Sequence, residues 1–367
     1  MPSASSLQWL ESLSPWPEEF GLGRMRALLG ELGEPQRAYR AIHVVGTNGK
    51  STATRRAAAF LAREGLSVGA YTSPHVAGWS ERIQVDLEDA DVEAALERVR
   101  APAERLGTTQ FEVLTAAGLA EFAAAEVDVA VVEAGLGGRL DATNVLDAEV
   151  VVLTNVALDH TDVLGETREA IAAEKLAVVG PGATVVLGEP EWEGLARARE
   201  AGRAVHAQDV GRAAAEAMLR KPLEGDVETG LPGRFERVGE DVFAGAHNPA
   251  GVEWLLDRLP RRDYVVLASI LTDKDADAML QRLSRAGRVL VATASHSARA
   301  LPADELARRA QTQFDTVETV ADPGDALARA RELAGDHGAV LVTGSLYLLA
   351  DLTVRLQRVP WGSSASA

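Results

Sequence analysis

The chain has 367 residues, a net charge of −17 from 37 Lys and Arg against 54 Asp and Glu, and no cysteine. That balance argues against general binding to nucleic acid or to an anionic membrane, and the missing cysteines exclude disulfides, a thiolate metal site and a Cys nucleophile. The polar N-terminal stretch lacks a signal-peptide pattern, and no apolar run approaches the ~20 residues of a membrane span, so a soluble cytoplasmic protein is expected.

The length predicts two domains. In chain order, apolar β-branched runs at 41–45, 68–71, 127–133, 149–155, 184–187, 264–269, 288–292, 316–320 and 339–343 read as strands. Ala-, Leu-, Arg- and Glu-rich stretches at 52–64, 91–100, 112–125, 167–179, 191–201, 250–259, 276–285, 303–311 and 323–334 read as helices. Short buried strands alternating with helices predict a parallel sheet in an α/β fold, with ligands at the carboxyl ends of the strands. Residues 221–234, rich in Gly, Pro and charge, mark the break. The expected division is a first domain over 1–225, a linker over 226–234, a second domain over 235–358 and a disordered tail over 359–367.

The first strand runs into Gly46-Thr-Asn-Gly-Lys-Ser-Thr52, and a helical segment follows. Strand, glycine turn and helix N-terminus together make a phosphate cradle, because backbone N–H groups and the helix dipole meet the anion there. Gly46, Thr47, Asn48, Gly49, Lys50, Ser51 and Thr52 are the candidate phosphate-binding residues, with Lys50 on the outer phosphates and the Ser51 hydroxyl on Mg²⁺. The first glycine of the general pattern is replaced by Val44. An ordinary strand-to-helix turn is the competing reading.

Further along, Tyr71-Thr-Ser-Pro-His75 precedes Glu81-Arg82, and Pro74 keeps Ser73 extended, so that its hydroxyl can face the strand-end crevice. The strand 127–133 ends in Glu133 and feeds a glycine loop carrying Arg139 and Asp141. A carboxylate at such a tip is otherwise a solvated strand end, but beside a phosphate loop it is placed to hold Mg²⁺. The strand 149–155 leads to His160, which is either structural or a metal ligand through a neutral imidazole nitrogen. Lys175 lies mid-helix, where solvation is the default. In the second half, Leu231-Pro-Gly-Arg234 is followed by His247-Asn-Pro249 at a helix start, then by Thr272-Asp-Lys-Asp275 and by Thr343-Gly-Ser345-Leu-Tyr347.

These motifs, in this order from about residue 5 to about residue 355, resemble the folylpolyglutamate synthase/dihydrofolate synthase family of the Mur ligase superfamily. Thr72-Ser-Pro-His75 and the loop Gly135-Leu-Gly-Gly-Arg-Leu-Asp-Ala-Thr-Asn144 carry the folate-branch signal. The Lys-Ser-Thr ending of the phosphate loop is closer to Mur ligases. The resemblance implies an N-terminal P-loop, Mur-ligase-like ATP-binding domain with a parallel central sheet, and a smaller Rossmann-like α/β domain. It implies an ATP- and Mg²⁺-dependent ligase that adds L-glutamate to a folate or dihydropteroate carboxylate through an acyl phosphate. By resemblance Lys50, Lys175 and His247 are catalytic, and Arg234 joins the loop residues on phosphate. One metal ion is held by Ser51, Ser73 and Glu133, and a second by Glu133, His160 and a carbamylated Lys175. Arg82, Arg139 and Asp141 lie near the pterin or acyl group, and His247, Ser345 and Tyr347 seat glutamate. A monomer with small-molecule partners follows. A Mur-type ligase for another carboxylate, or a nucleotide-binding relative without ligase activity, are the alternatives.

Two departures fall on the nucleoside. The family usually has Asp where Ala244 stands, holding the ribose, and the segment 188–224 is short and lacks an Asn near the adenine. Both imply looser nucleoside selectivity.

Overall fold

A computed structural model describes residues 5–260 and 263–356; the tail expected over 359–367 lies outside them. The chain forms two compact units. One comprises residues up to Pro74 together with Trp79–Gly230, and the other comprises His75–Gly78 together with residues from Leu231 onward.

The first unit is an eight-stranded sheet. In chain order its strands are β1 (Arg40–Val45), β2 (Val68–Tyr71), β3 (Ile83–Val85), β4 (Glu88–Asp89), β5 (Val129–Glu133), β6 (Val150–Leu153), β7 (Thr184–Leu187) and β8 (Arg203–His206). The spatial order is β4-β3-β2-β5-β1-β6-β7-β8. From β2 to β8 the pairs are parallel, while β3 and β4 extend the edge as an antiparallel hairpin. The central strands are apolar along their length because helices cover both faces. Ile42, Val44, Val131 and Val152 pack under the helices Lys50–Arg63 and Val210–Leu219, whereas Val45, Val151 and Leu153 face Ile171 and Leu176. Strand β1 lies between β5 and β6, with Val44 paired to both Glu133 and Val152. That register brings the carboxyl ends of the three strands to one level.

The second unit has strands β9 (Arg234–Val238), β10 (Asp241–Ala244), β11 (Val265–Ala268), β12 (Val289–Ala292), β13 (Thr316–Thr319) and β14 (Val340–Thr343), in the order β13-β12-β11-β14-β10-β9. All pairs are parallel except β9 with β10. The His75–Gly78 segment contributes Val76 to this unit's core, among Phe243, Leu346 and Leu349.

The parallel core follows the sequence expectation. The additions are β3, β4, β8, β9 and β10; the first four are short and carry polar, partly exposed residues, whereas β10 is short and apolar after Asp241. The helix expected over 91–100 continues as Val92–Leu106 through Pro102. The stretch expected as a helix over 191–201 is a 3-10 turn, Pro190–Trp192, followed by a short helix, Glu193–Ala198.

Candidate active site

The phosphate loop leaves β1 at Val45 and re-enters regular structure at Lys50, the first residue of its helix. Gly46 has φ +150°, and a Cβ there would come within 1.8 Å of Thr154 Oγ1, so no other residue fits without moving β6. Gly49 caps the helix in the left-handed region, at φ +80°. Thr154 and Asn155, at the exit of β6, clamp the loop. Thr154 Oγ1 donates to the Asn48 carbonyl at 2.7 Å, Asn48 N–H donates to Asn155 Oδ1 at 3.0 Å, and Thr47 N–H donates to the Asn155 carbonyl at 3.0 Å. The sequence reading missed both clamps; the signal available was a polar pair ending an apolar strand. Lys50 Nζ reaches only its own loop, 3.5 Å from the Thr47 carbonyl.

Glu133 ends β5 one strand away and is 1% exposed. Its two oxygens meet two segments: Oε1 lies 3.2 Å from Ser51 Oγ, and Oε2 accepts from the Ser73 N–H at 3.0 Å. Three expected metal ligands therefore converge, although Ser73 reaches Glu133 through its backbone rather than its hydroxyl. Among the described residues no three His, Asp or Glu side chains form a metal cage. One carboxylate with two serines beside a phosphate loop instead suits Mg²⁺, which keeps waters and takes phosphate oxygens.

Lys175 closes the helix Arg168–Lys175 and is buried, with Nζ donating to the Gly46 carbonyl at 2.9 Å. Burial, with Lys50 nearby, pulls its amine down to about 7. It is therefore not the solvated lysine that a mid-helix position suggests. His160 is held in the left-handed region by its neighbour: its N–H donates to Asp159 Oδ1 at 3.0 Å, and its Nε2 lies 3.8 Å from the same oxygen.

The loop after β5 folds on itself around Asp141. That carboxylate accepts from Leu136 N–H at 2.7 Å, from Thr143 N–H at 3.0 Å and from the Thr143 hydroxyl. Burial raises its pKa, and those hydrogen bonds oppose the rise. Thr143 Oγ1 is in turn 2.8 Å from Nε2 of His43, a buried residue on β1 whose pKa burial lowers to about 4. Neutral His43 donates from Nε2, and the Thr143 hydroxyl passes its proton toward Asp141, so the relay has one direction. Gly138 lies against the carbonyls of Glu174 and Lys175, where a Cβ would come within 2.7 and 2.6 Å. Arg139 pairs with Glu174 at 2.9 Å. Arg82 stacks over Trp79, with its guanidinium carbon 4.9 Å from the ring centre.

In the second unit, Arg234 opens β9 and faces Ala244 across a bulge in β10. His247 Nδ1 lies 2.9 Å from the Gly245 carbonyl, so this nitrogen carries a proton. Asn248 caps the helix Pro249–Leu256 by accepting from Gly251 N–H at 2.8 Å. Ser345 is buried and accepts from the N–H of Tyr347, whose side chain is exposed.

The Mur ligase middle domain matches residues 44–186, and the Mur ligase glutamate ligase domain matches residues 233–346. The folylpolyglutamate synthase of Lacticaseibacillus casei is 33% identical over 89% of this chain and 92% of its own length. The chain belongs to the folylpolyglutamate synthase/dihydrofolate synthase family. Among solved structures, Mycobacterium tuberculosis folylpolyglutamate synthase complexed with ADP superposes with a TM-score of 0.88 at 30% identity, covering 97% of this chain and 99% of that one. A bifunctional folylpolyglutamate synthase/dihydrofolate synthase with Mn, AMPPNP and L-glutamate bound gives a TM-score of 0.84 at 27% identity, covering 97% of this chain and 98% of that one. No helix among the described residues is long and apolar enough to cross a membrane.

Proposed function

We propose that this chain is an ATP- and divalent-metal-dependent ligase that joins L-glutamate to the carboxylate of a folate or of dihydropteroate through an acyl phosphate. The observation that carries the reading is the meeting of Ser51 and Ser73 on Glu133 beside the phosphate loop, in a chain of this family.

The residues divide the work by position. The loop from Gly46 to Ser51 and the N-terminus of the helix Lys50–Arg63 receive the phosphates, and Lys50 swings from its loop carbonyl onto the outer ones. Arg234 adds a cation to the phosphates. Ser51, Ser73 and Glu133 hold one Mg²⁺, and Glu133, His160 and a carbamylated Lys175 hold a second. Bound there, the metal screens the charge of two anions that must meet. The acceptor carboxylate attacks the γ-phosphorus and ADP leaves; the glutamate amine then attacks the resulting acyl carbon, loses a proton, and inorganic phosphate leaves. His247, with Nδ1 committed to the Gly245 carbonyl, receives the incoming amine. Ser345 and Tyr347 seat the glutamate, and Arg82, Arg139 and the Asp141 loop face the pterin end. Lys175 fits its role because burial disfavours its cationic form, and a neutral amine is the form that adds CO2. The enzyme acts as a monomer in the cytoplasm.

The test is phosphate release from ATP and Mg²⁺ with glutamate plus dihydropteroate, tetrahydrofolate or a UDP-muramyl peptide. Turnover with either pterin acceptor is expected. Turnover with the muramyl peptide alone would move the chain to another Mur-type substrate, and none with any acceptor would leave a binding protein.

A further inference from the structure

Arg55 lies one turn beyond Ser51 on the phosphate-loop helix, on the same side, and is 7% exposed. Its neighbours along that helix, Ala53, Ala57 and Ala58, are small and apolar. A buried guanidinium among them carries a desolvation penalty that an apolar side chain would avoid. The charges acting on it, strongest first, are Glu81, Asp89 and Glu133. Its Nε has no hydrogen-bond partner, so the group is held at one end.

That end makes a knot. Arg55 Nη2 donates to the Glu81 carbonyl at 2.6 Å. The same oxygen accepts from Thr72 Oγ1 at 3.3 Å, and Thr72 N–H donates to the Arg82 carbonyl at 2.9 Å. One residue on, Ser73 N–H reaches Glu133. Three segments, the helix Lys50–Arg63, the Thr72–Ser73 loop and the turn Trp79–Arg82, therefore meet at one carbonyl. The turn carries Arg82 on the face of Trp79.

We propose that Arg55 is a positioning residue that ties the Thr72–Ser73 loop and the Trp79–Arg82 turn to the phosphate-loop helix, so that Ser73 stays on Glu133 and Arg82 stays in place for the acyl substrate. The inference rests on the ligase reading for the roles of Ser73 and Arg82. The role needs a cationic donor that reaches the Glu81 carbonyl: a lysine supplies the charge on a shorter side chain without the planar head of the guanidinium, and a methionine supplies the volume alone.

The test uses the full chain and two variants, Arg55→Met and Arg55→Lys. Amide hydrogen exchange is followed peptide by peptide without ligand, and Mn²⁺ is titrated calorimetrically at saturating ADP. Arg55→Met is expected to speed exchange across residues 70–85 roughly tenfold while strands β6 and β7 keep their protection, and to weaken Mn²⁺ binding by about tenfold. Arg55→Lys is expected to fall between wild type and Arg55→Met, and it carries the test if the methionine variant does not fold. Unchanged exchange and Mn²⁺ affinity would overturn the proposal, as would a loss of protection spread evenly over the first unit, which marks a packing residue. Turnover of the wild type with glutamate plus dihydropteroate or tetrahydrofolate separates the two ideas. A wild type without turnover whose variants still loosen residues 70–85 removes the ligase reading and leaves the tether.

Discussion

Lys175 donates from Nζ to the carbonyl oxygen of Gly46 at 2.9 Å, joining the end of one helix to the first residue of the phosphate loop. The bond is buried, and the glycine it meets tolerates no side chain because Thr154 Oγ1 occupies the space. An amine this close to the loop puts a second positive charge beside Lys50, and the two repel. On the proposed reading, converting that amine to a carbamate would reverse the sign of the group and supply oxygen ligands for a metal ion.

The first prediction follows from that sign reversal. Lys175→Ala should lose most turnover, since it removes both the tie to Gly46 and the anionic oxygens, and a small added carboxylate such as formate or acetate should restore part of it. Lys175→Arg keeps a cation and a donor but cannot form the carbamate, so it should stay inactive with or without the added acid. The measurement is phosphate release over a series of carboxylate concentrations. Rescue of neither variant, or a fully active Lys175→Arg, would mean that the lysine acts as a cation.

The loop, the parallel sheet and Glu133 were legible because their signals are local. An apolar strand, a glycine turn and a helix start lie within twelve residues, and a carboxylate at the tip of an all-apolar strand stands out against it. Arg55 was not legible. It sits in the run Thr54-Arg-Arg56, and nothing local distinguishes the two arginines. Yet Arg55 is buried on the Glu81 carbonyl, whereas Arg56 turns to Asp209, Asp226 and the Val227 carbonyl. The second set fastens the start of the linker region to the first unit, with help from Arg63 on the carbonyls of Glu224 and Asp226. Which way each side chain goes depends on segments distant in sequence, 26 residues away for Arg55 and more than 150 for Arg56. The Val76 strap has the same cause: four residues inside one unit's sequence belong to the core of the other, and no composition change marks them.

His43 gives a pH prediction for stability. It is a buried strand residue whose pKa in the folded protein is about 4, against an ordinary value of 6.5, so the unfolded chain binds the proton more readily. Above the ordinary value both states are neutral and the residue contributes no pH dependence. As pH falls from there toward 4, the unfolded state takes up a proton that the folded state refuses, and stability drops by about 1.4 kcal/mol per pH unit, to about 3 kcal/mol in all. His43→Gln keeps a donor toward Thr143 and does not titrate. Urea unfolding at neutral pH and near pH 4.5 should show the wild type losing about 2 kcal/mol more than the variant over that interval. Equal losses would place the acid sensitivity elsewhere.

The nucleoside end gives the last prediction. Ala244 ends β10 opposite Arg234, the expected phosphate contact, at a bulge in the strand pair. Its side chain is 3% exposed and belongs to an apolar cluster with Val242, Leu255, Leu256 and Leu341. The carboxylate that family members usually carry at this position to hold the ribose is therefore absent, and apolar packing takes its place. A charge-assisted hydrogen bond contributes roughly 1.5–3 kcal/mol, so its loss weakens any nucleoside triphosphate by about tenfold or more. The segment after β7 is compact: Glu189 is committed to Val156 N–H at 2.9 Å, to Trp192 Nε1 at 2.8 Å and to Arg168 at 3.1 Å. A ribose contact does not read the base, but the missing asparagine near the adenine does. ATP, GTP and CTP should therefore support turnover with kcat/KM values within about an order of magnitude of one another, and the KM for ATP should be high. Steady-state rates with the three nucleotides decide it, and a preference for ATP of a hundredfold or more would show that other groups hold the adenosine. Ala244→Asp separates stability from selectivity: a carboxylate in that apolar cluster should lower the unfolding midpoint, and any fall in KM should be shared by all three nucleotides.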